Sequence, residues 1–311
     1  MKPFLLALAL AALSAGCLGG NADRDGGRAT DDHAHDDEPV PGAPWWEIGR
    51  HWTMTVTRGS ASEEFRLVNF RNDTASHHFW LGVEGRDQAM RMALWNTNPF
   101  LGRIHHNLLA PHEAGQHAVM YQFPLSDGAK WQGFLLGRVW NFEADDVGGG
   151  AFDVEGRGPQ GESVRFDYDP ASKWFTRLEE RDRDGKPGWQ VQVTASGTGA
   201  KGEYVFLRGR DYYRGGGIQG TRETTFAVDE GLTSLALHAG ISSSGPVSIR
   251  VSDPDGNVAH QWTLGPGGGS LNETRELASP KKGGWEIDIL ATSGFTGRIY
   301  ATGIVEHKGR V

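Results

Sequence analysis

Cysteine is almost absent from this sequence: one residue, Cys17, in 311. A lone thiol cannot staple a fold, so the chain is not a disulfide framework. Methionine is scarce as well, at five against 14 Phe and 11 Trp, so rigid rings dominate whatever cores form. No apolar run approaches the ~20 residues that a membrane-crossing helix needs. The longest, residues 4–13, is ten long. Basic clusters are missing too, and the formal net charge is -8, which argues against a nucleic-acid-binding surface. There is no Gly-x-Ser-x-Gly elbow and no phosphate-cradling Walker loop, and the one Cys sits at the N-terminus. A Ser/His/Asp triad assembled from distant residues stays open.

What is abundant is glycine, 45 residues, which fits tight turns between short strands better than long helices. The length suggests two domains. Met1-Lys2-Pro3, the apolar run and then Ser14-Ala15-Gly16 make a signal peptide over residues 1–16. Leu13-Ser14-Ala15-Gly16-Cys17 resembles the lipobox of lipoproteins, which implies a lipid on the Cys17 thiol. It departs from that pattern at Ser14, where an aliphatic residue is usual. Two acyl chains would hold the protein stably on a membrane. An ordinary signal peptide with an incidental cysteine is the alternative. Residues 17–44 read as a disordered tether. Seven acidic residues stand in it against Arg24 and Arg28, with no aromatic before Trp45, too little apolar surface to offset chain entropy.

From Trp45 the pattern predicts strands over 51–57, 64–70, 78–84, 89–94, 131–144, 163–169, 174–181, 189–195 and 203–208. In the 189 run, Trp189, Val191 and Val193 point one way and Gln190 and Gln192 the other, the period of a strand with one wet face. Residues 98–117 show no alternation and read as a short helix or a long loop. Residues 211–222, rich in Gly, read as a linker. Beyond it, runs at 223–228, 234–239, 247–252, 258–264, 274–278, 285–290 and 298–306 predict seven strands of a β-sandwich. The expected fold is all-β: a curved antiparallel sheet or half-barrel over 45–210, then a small jelly-roll-like sandwich over 223–311.

Two resemblances accompany this reading. Phe226-Ala227-Val228-Asp229-Glu230-Gly231, Ser252-Asp253-Pro254-Asp255-Gly256-Asn257 and Gly283-Gly284-Trp285-Glu286-Ile287 resemble bacterial pre-peptidase C-terminal modules. That likeness implies an accessory module without catalysis of its own. Gly49-Arg50-His51-Trp52, Gly128-Ala129-Lys130-Trp131 and Tyr168-Asp169-Pro170-Ala171-Ser172-Lys173-Trp174-Phe175 resemble half-barrel lipoproteins of the lipoprotein-localisation type. This second likeness implies a concave apolar face for a lipid or other hydrophobic ligand. Nine tryptophans before residue 190 either line such a cavity or fill a core.

The motifs that suggest chemistry are few. Gly197–Gly202 and Gly215–Gly220 match the dinucleotide pattern Gly-x-Gly-x-x-Gly, but both run into strand-like sequence, so they read as turns. His112 and His117 flank a Glu as in zinc proteases, yet stand five apart where one helix face needs four. With His77, His78, His105 and His106 they leave a metal site conceivable, against scattered surface histidines. In the tether, His33, His35 and Asp36 are candidate metal ligands, against a plain solvated spacer. Asp182-Arg183-Asp184-Gly185 and the Asp253 loop resemble the start of calcium loops without a closing Glu and read as turns. Asn72 and Asn272 head glycosylation sequons.

The expected function is a non-enzymatic lipoprotein, exported and anchored to the outer face of a membrane. It would bind a hydrophobic ligand, a glycan or a surface protein and require no cofactor. An exported hydrolase and an extracytoplasmic metal-binding protein are the rival readings.

Overall fold

A computed structural model describes residues 40–311 apart from 96–97 and 114–115. The signal peptide and tether expectations, with Cys17, His33, His35 and Asp36, lie outside the described residues. The fold is all-β: twenty strands and, among the described residues, one α-helix.

The first sheet is ten-stranded and antiparallel throughout its pairings. Its strands are β1 (His51–Arg58), β2 (Ala61–Asp73), β3 (His78–Gly82), β4 (Gly102–His105), β7 (Ala129–Leu135), β8 (Arg138–Gly148), β9 (Ala151–Arg157), β10 (Ser163–Tyr168), β11 (Arg177–Arg181) and β12 (Pro187–Gly197). Two meanders, β1 to β4 and β7 to β12, meet where β1 pairs with β12, so the order is β4-β3-β2-β1-β12-β11-β10-β9-β8-β7. The small hairpin β5 (His112–Glu113) and β6 (Gln116–His117) stands apart from it.

Period-two patterning puts one face of this sheet in the core. Trp52, Met54, Val56, Phe65, Leu67, Phe142, Phe166, Leu178 and Val191 are buried on it. The connecting segments close over that face, contributing Trp46, Phe100, Leu109, Met120, Tyr121, Trp174 and Phe175, all essentially without solvent contact. Trp46 packs on Trp52, Phe79 and Trp174 with ring centroids 4.4, 4.6 and 4.9 Å apart. The polar ends of these rings are bonded. Trp46 Nε1 donates to Lys173 O at 2.9 Å, Trp52 Nε1 to Ser172 O at 3.1 Å and Trp174 Nε1 to Leu109 O at 3.1 Å. Buried Arg50 adds bonds of 2.8 and 2.7 Å to the carbonyls of Ala171 and Ser172. The turn at 169–174 is therefore clasped from three sides, because a buried carbonyl left unpaired would cost about 1–3 kcal/mol.

The helix, α1 (Arg86–Trp95), stands where sequence alternation predicted a strand over 89–94. Gln, Ala, Met, Arg and Leu are all good helix formers. Ala89 and Met92, three apart, are its buried residues.

The second half is a jelly roll. β13 (Glu203–Gly215), β14 (Gly220–Val228), β15 (Ser234–Ser243), β16 (Val247–Ser252), β17 (Val258–Leu264), β18 (Gly269–Ala278), β19 (Gly283–Ala291) and β20 (Thr296–Arg310) form two four-stranded sheets. Their orders are β13-β20-β15-β18 and β14-β19-β16-β17, the eight-strand pattern of that fold. Its own core holds Ile249, Val251, Trp262, Trp285, Ile287, Ile289 and Leu235.

All seven strands expected after residue 222 are present, and the eighth is β13. The boundary therefore differs from expectation. Residues 211–215 and 220–222, read as linker, are strand, because β13 pairs with β20 from Glu203↔Arg310 to Gly215↔Ile299. Gly216 also leaves no slack, since a Cβ there would stand 2.1 Å from Gly297 O. The described part of the chain is one compact unit. At its seam Val83 and Val205 exchange backbone bonds of 3.0 and 2.8 Å. Phe70 is seated between Gly82 and Gly309, where added Cβ atoms would come within 2.9 and 2.1 Å of its ring. Arg86 of α1 reaches across to Glu276 at 2.9 Å and Glu306 at 3.0 Å.

Candidate polar groove

Among the described residues, the face of the first sheet opposite the core is open where β8 to β12 and β1 meet. There the chain forms a groove of about 610 Å³ lined from β1, β12, β11, β10, β9 and β8. Alternation decides its chemistry. Where one side of each strand buries apolar residues such as Val154, Phe166, Leu178 and Val191, the alternate positions present Thr55, Thr57, Gln190, Gln192, Arg177, Glu179, Arg165, Asp153, Glu155 and Asp145.

Register aligns these side chains in rows across the strands. One row runs Thr57, Gln190, Glu179, Arg165, Glu155, each the direct cross-strand partner of the next. Glu143 and Lys130 continue it to the sheet edge. A second row starts Thr55, Gln192, Arg177 and resumes with Asp167, Asp153, Asp145. Five inter-strand steps of ~4.8 Å make the lined width roughly 24 Å.

Each arginine on this face is bonded to a carboxylate, while Asp145 has no ion pair among the described residues. Arg165 bonds Glu155 at 3.2 Å, and Arg177 bonds Asp153 at 2.8 Å. Flanking Arg157 reaches Glu155 at 3.2 Å and Arg181 reaches Glu179 at 2.5 Å. Gln190 Nε2 donates to Glu179 Oε1 at 3.3 Å. Asp167 turns back into the structure, accepting from the backbone amides of Thr176 and Arg177 at 2.9 and 2.8 Å. Exposed pairs of this kind contribute only about 0.2–1 kcal/mol each, so stability alone is a weak reason for such a ladder.

The residues singled out in the sequence fall elsewhere. His112 and His117 are register partners across the β5/β6 hairpin, not two positions on a helix. His78 and His105 are cross-strand partners with rings 5.6 Å apart, and His77 and His106 lie 6.3 Å apart. His106 is buried between Trp45 and Phe79, at ring distances of 4.8 and 4.2 Å, and burial pushes its imidazole down to about 4. Among the described residues the one group of three potential ligands within 4.8 Å of one another is Glu223, Glu286 and Asp288. Arg250 already occupies Asp288 at 3.0 Å, and the bond to Asp288 pushes the Glu286 carboxyl up.

Both Asp-rich loops are turns: Asp182 Oδ1 accepts the amides of Asp184 and Lys186, and Asp253 Oδ1 those of Asp255 and Asn257. Lys281 sits on Asp253 and Asp255 at 2.6 and 2.5 Å. The two Gly-x-Gly-x-x-Gly stretches connect strand to strand, with no helix following either. Asn72 donates from its amide nitrogen to Trp46 O at 2.9 Å, so one sequon is engaged within the fold.

Of the tryptophans expected to line a cavity or a core, Trp46, Trp52, Trp80, Trp131, Trp140, Trp174 and Trp189 are buried. Trp45 is 46% exposed. Of the groove residues, only Gln190 and Gln192 were marked by the sequence as outward-facing. The missed signal was the recurrence of charged or amide residues at every second position of five successive strands.

No protein-family model matches the chain, and no curated protein matches it. Solved structures give remote likenesses. An exo-β-1,3-galactanase from Phanerochaete chrysosporium is 12% identical, with 81% of this chain and 68% of that one covered and a TM-score of 0.19. A glycoside hydrolase family 43 arabinoxylan arabinofuranohydrolase from Bacillus subtilis is 12% identical over 82% and 66%, at 0.18. An insecticidal delta-endotoxin from Bacillus thuringiensis is 8% identical over 85% and 52%, at 0.20. Scores this low carry no argument about this chain.

Proposed function

We propose that this chain is an exported, non-enzymatic lipoprotein, held on the outer face of a membrane through Cys17, that binds a partner in the polar groove. The groove carries the reading. It is a concavity of about 610 Å³ whose side chains stand in register rows on a sheet, which is how a binding constellation is held in place. The apolar side of the same sheet is filled by Trp46, Trp174 and Phe100, which favours a polar partner over a hydrophobic ligand.

An exported hydrolase is the second reading, favoured by Asp145 and Asp153 as cross-strand partners in the groove. Against it, Asp153 is committed to Arg177 at 2.8 Å. The test is to fill the groove. Gln192→Trp should abolish binding of the full-length protein to envelope material from its own cells. Val258→Trp, at a 52% exposed position on the jelly roll, should leave it intact. Equal binding by both variants would remove the groove from the account.

A further inference from the structure

We propose that the groove takes a neutral, polyhydroxylated polymer, a glycan chain without net charge, lying across the strands. This rests on the reading of the groove as the binding face and names what that face selects.

Charge balance is the first argument. The lining holds four carboxylates, Asp145, Asp153, Glu155 and Glu179, and two guanidiniums, Arg165 and Arg177. Arg157 and Arg181, bonded to Glu155 and Glu179, bring the groups to four of each sign. A polyanion placed here would have to break pairs already made, and a polycation would find only Asp145 free before doing the same, leaving an uncompensated charge at the contact. A neutral ligand leaves every pair in place.

Hydrogen-bonding capacity is the second. Thr hydroxyls, Gln amides, ion-paired carboxylates and guanidinium forks each keep free donor or acceptor positions after their internal bonds. Hydroxyl groups, which donate and accept, match such a mixed surface, while a phosphate or a sulfate can only accept. No aromatic ring is exposed in the lining, where Phe166 is buried, so an apolar ligand would gain little there.

Shape is the third. The rows repeat one polar side chain every ~4.8 Å for roughly 24 Å, a track for an extended chain rather than a pocket for one sugar ring.

The test uses the full-length protein and a panel of soluble polymers. Dextran, mannan, galactan and N-acetylated chitooligosaccharides are the neutral probes, and heparin and polylysine the charged ones. Binding is measured at about 0.05 M and about 0.5 M salt, where Debye screening differs severalfold. The expected result is that a neutral polymer binds, changes less than about twofold between the two salts, and is weakened about tenfold or more by Gln192→Trp. The paired removal of hydrogen-bonding groups without added bulk, Thr55→Val with Gln190→Leu, should weaken it in the same direction while the unfolding temperature stays at the wild-type value. Binding confined to heparin or polylysine, salt-sensitive and lost in Gln192→Trp, would overturn the neutral-glycan proposal and keep the groove as the site. Neutral-polymer binding untouched by Gln192→Trp and by the paired variant would overturn the groove reading itself. Binding of no probe in the panel would overturn the glycan proposal.

Discussion

His106 is where a single residue couples this fold to pH. The free imidazole titrates near 6.5, while burial between Trp45 and Phe79 holds His106 at about 4. As pH falls through 6.5 the unfolded chain takes up a proton and the folded chain does not until about 4. Stability is therefore lost across that window, by on the order of 2–3 kcal/mol at its lower end. Burial lowers His238 and His307 as well, so they add loss of the same sign. His106→Phe, which keeps a ring against Trp45 and Phe79, should flatten the fall in urea-unfolding free energy between pH 7 and pH 4.5 by roughly half. An unchanged slope would show that His106 is not the dominant group. The sequence marks His106 only as one of several neighbouring histidines and not as buried, because its burial depends on Trp45, sixty-one positions earlier. Glycine was legible in part for the same reason. Its abundance predicted turns, and Gly82 and Gly309 instead make room for Phe70 at the seam.

Among the elements, the jelly-roll strands were the most legible. Gly, Asp and Pro punctuate short alternating runs, and Asp253 caps the turn between β16 and β17 with side-chain bonds. β13 was placed as a strand but not assigned to the right half, since pairing with β20 is a contact over about a hundred residues and leaves no local trace. Its placement has a measurable consequence. A fragment of residues 223–311 leaves the fifteen-residue β20 with an unpaired edge and should aggregate. Residues 200–311 include β13 and should stay monodisperse and unfold in one transition, as size-exclusion chromatography and thermal denaturation would report. Monodisperse behaviour of the shorter fragment would contradict the pairing. The α1 helix was misread because Ala89 to Leu94 alternates loosely enough to resemble a strand, while Ala89 and Met92 satisfy a helix stripe better.

At the scale of the whole molecule, the account joins an anchor to a binding face. The all-β class and the sandwich followed from composition and periodicity. The groove did not, because its rows exist only once β1 has paired with β12 and set the register of the strands beyond. Cys17→Ser should move the protein from the membrane to the soluble fraction, and a membrane-bound variant would contradict lipidation.

The scarcity of cysteine also supplies the most direct probe of the groove. In a Cys17→Ser background, a thiol introduced by Gln192→Cys is the only one in the chain to carry an environment-sensitive fluorophore, and Val258→Cys gives a matched label on the jelly roll. Titrating both labelled proteins with the envelope material they bind measures where the partner sits. The account predicts a saturable emission shift at residue 192 and none at 258. Saturable binding with a silent label at 192 would contradict it.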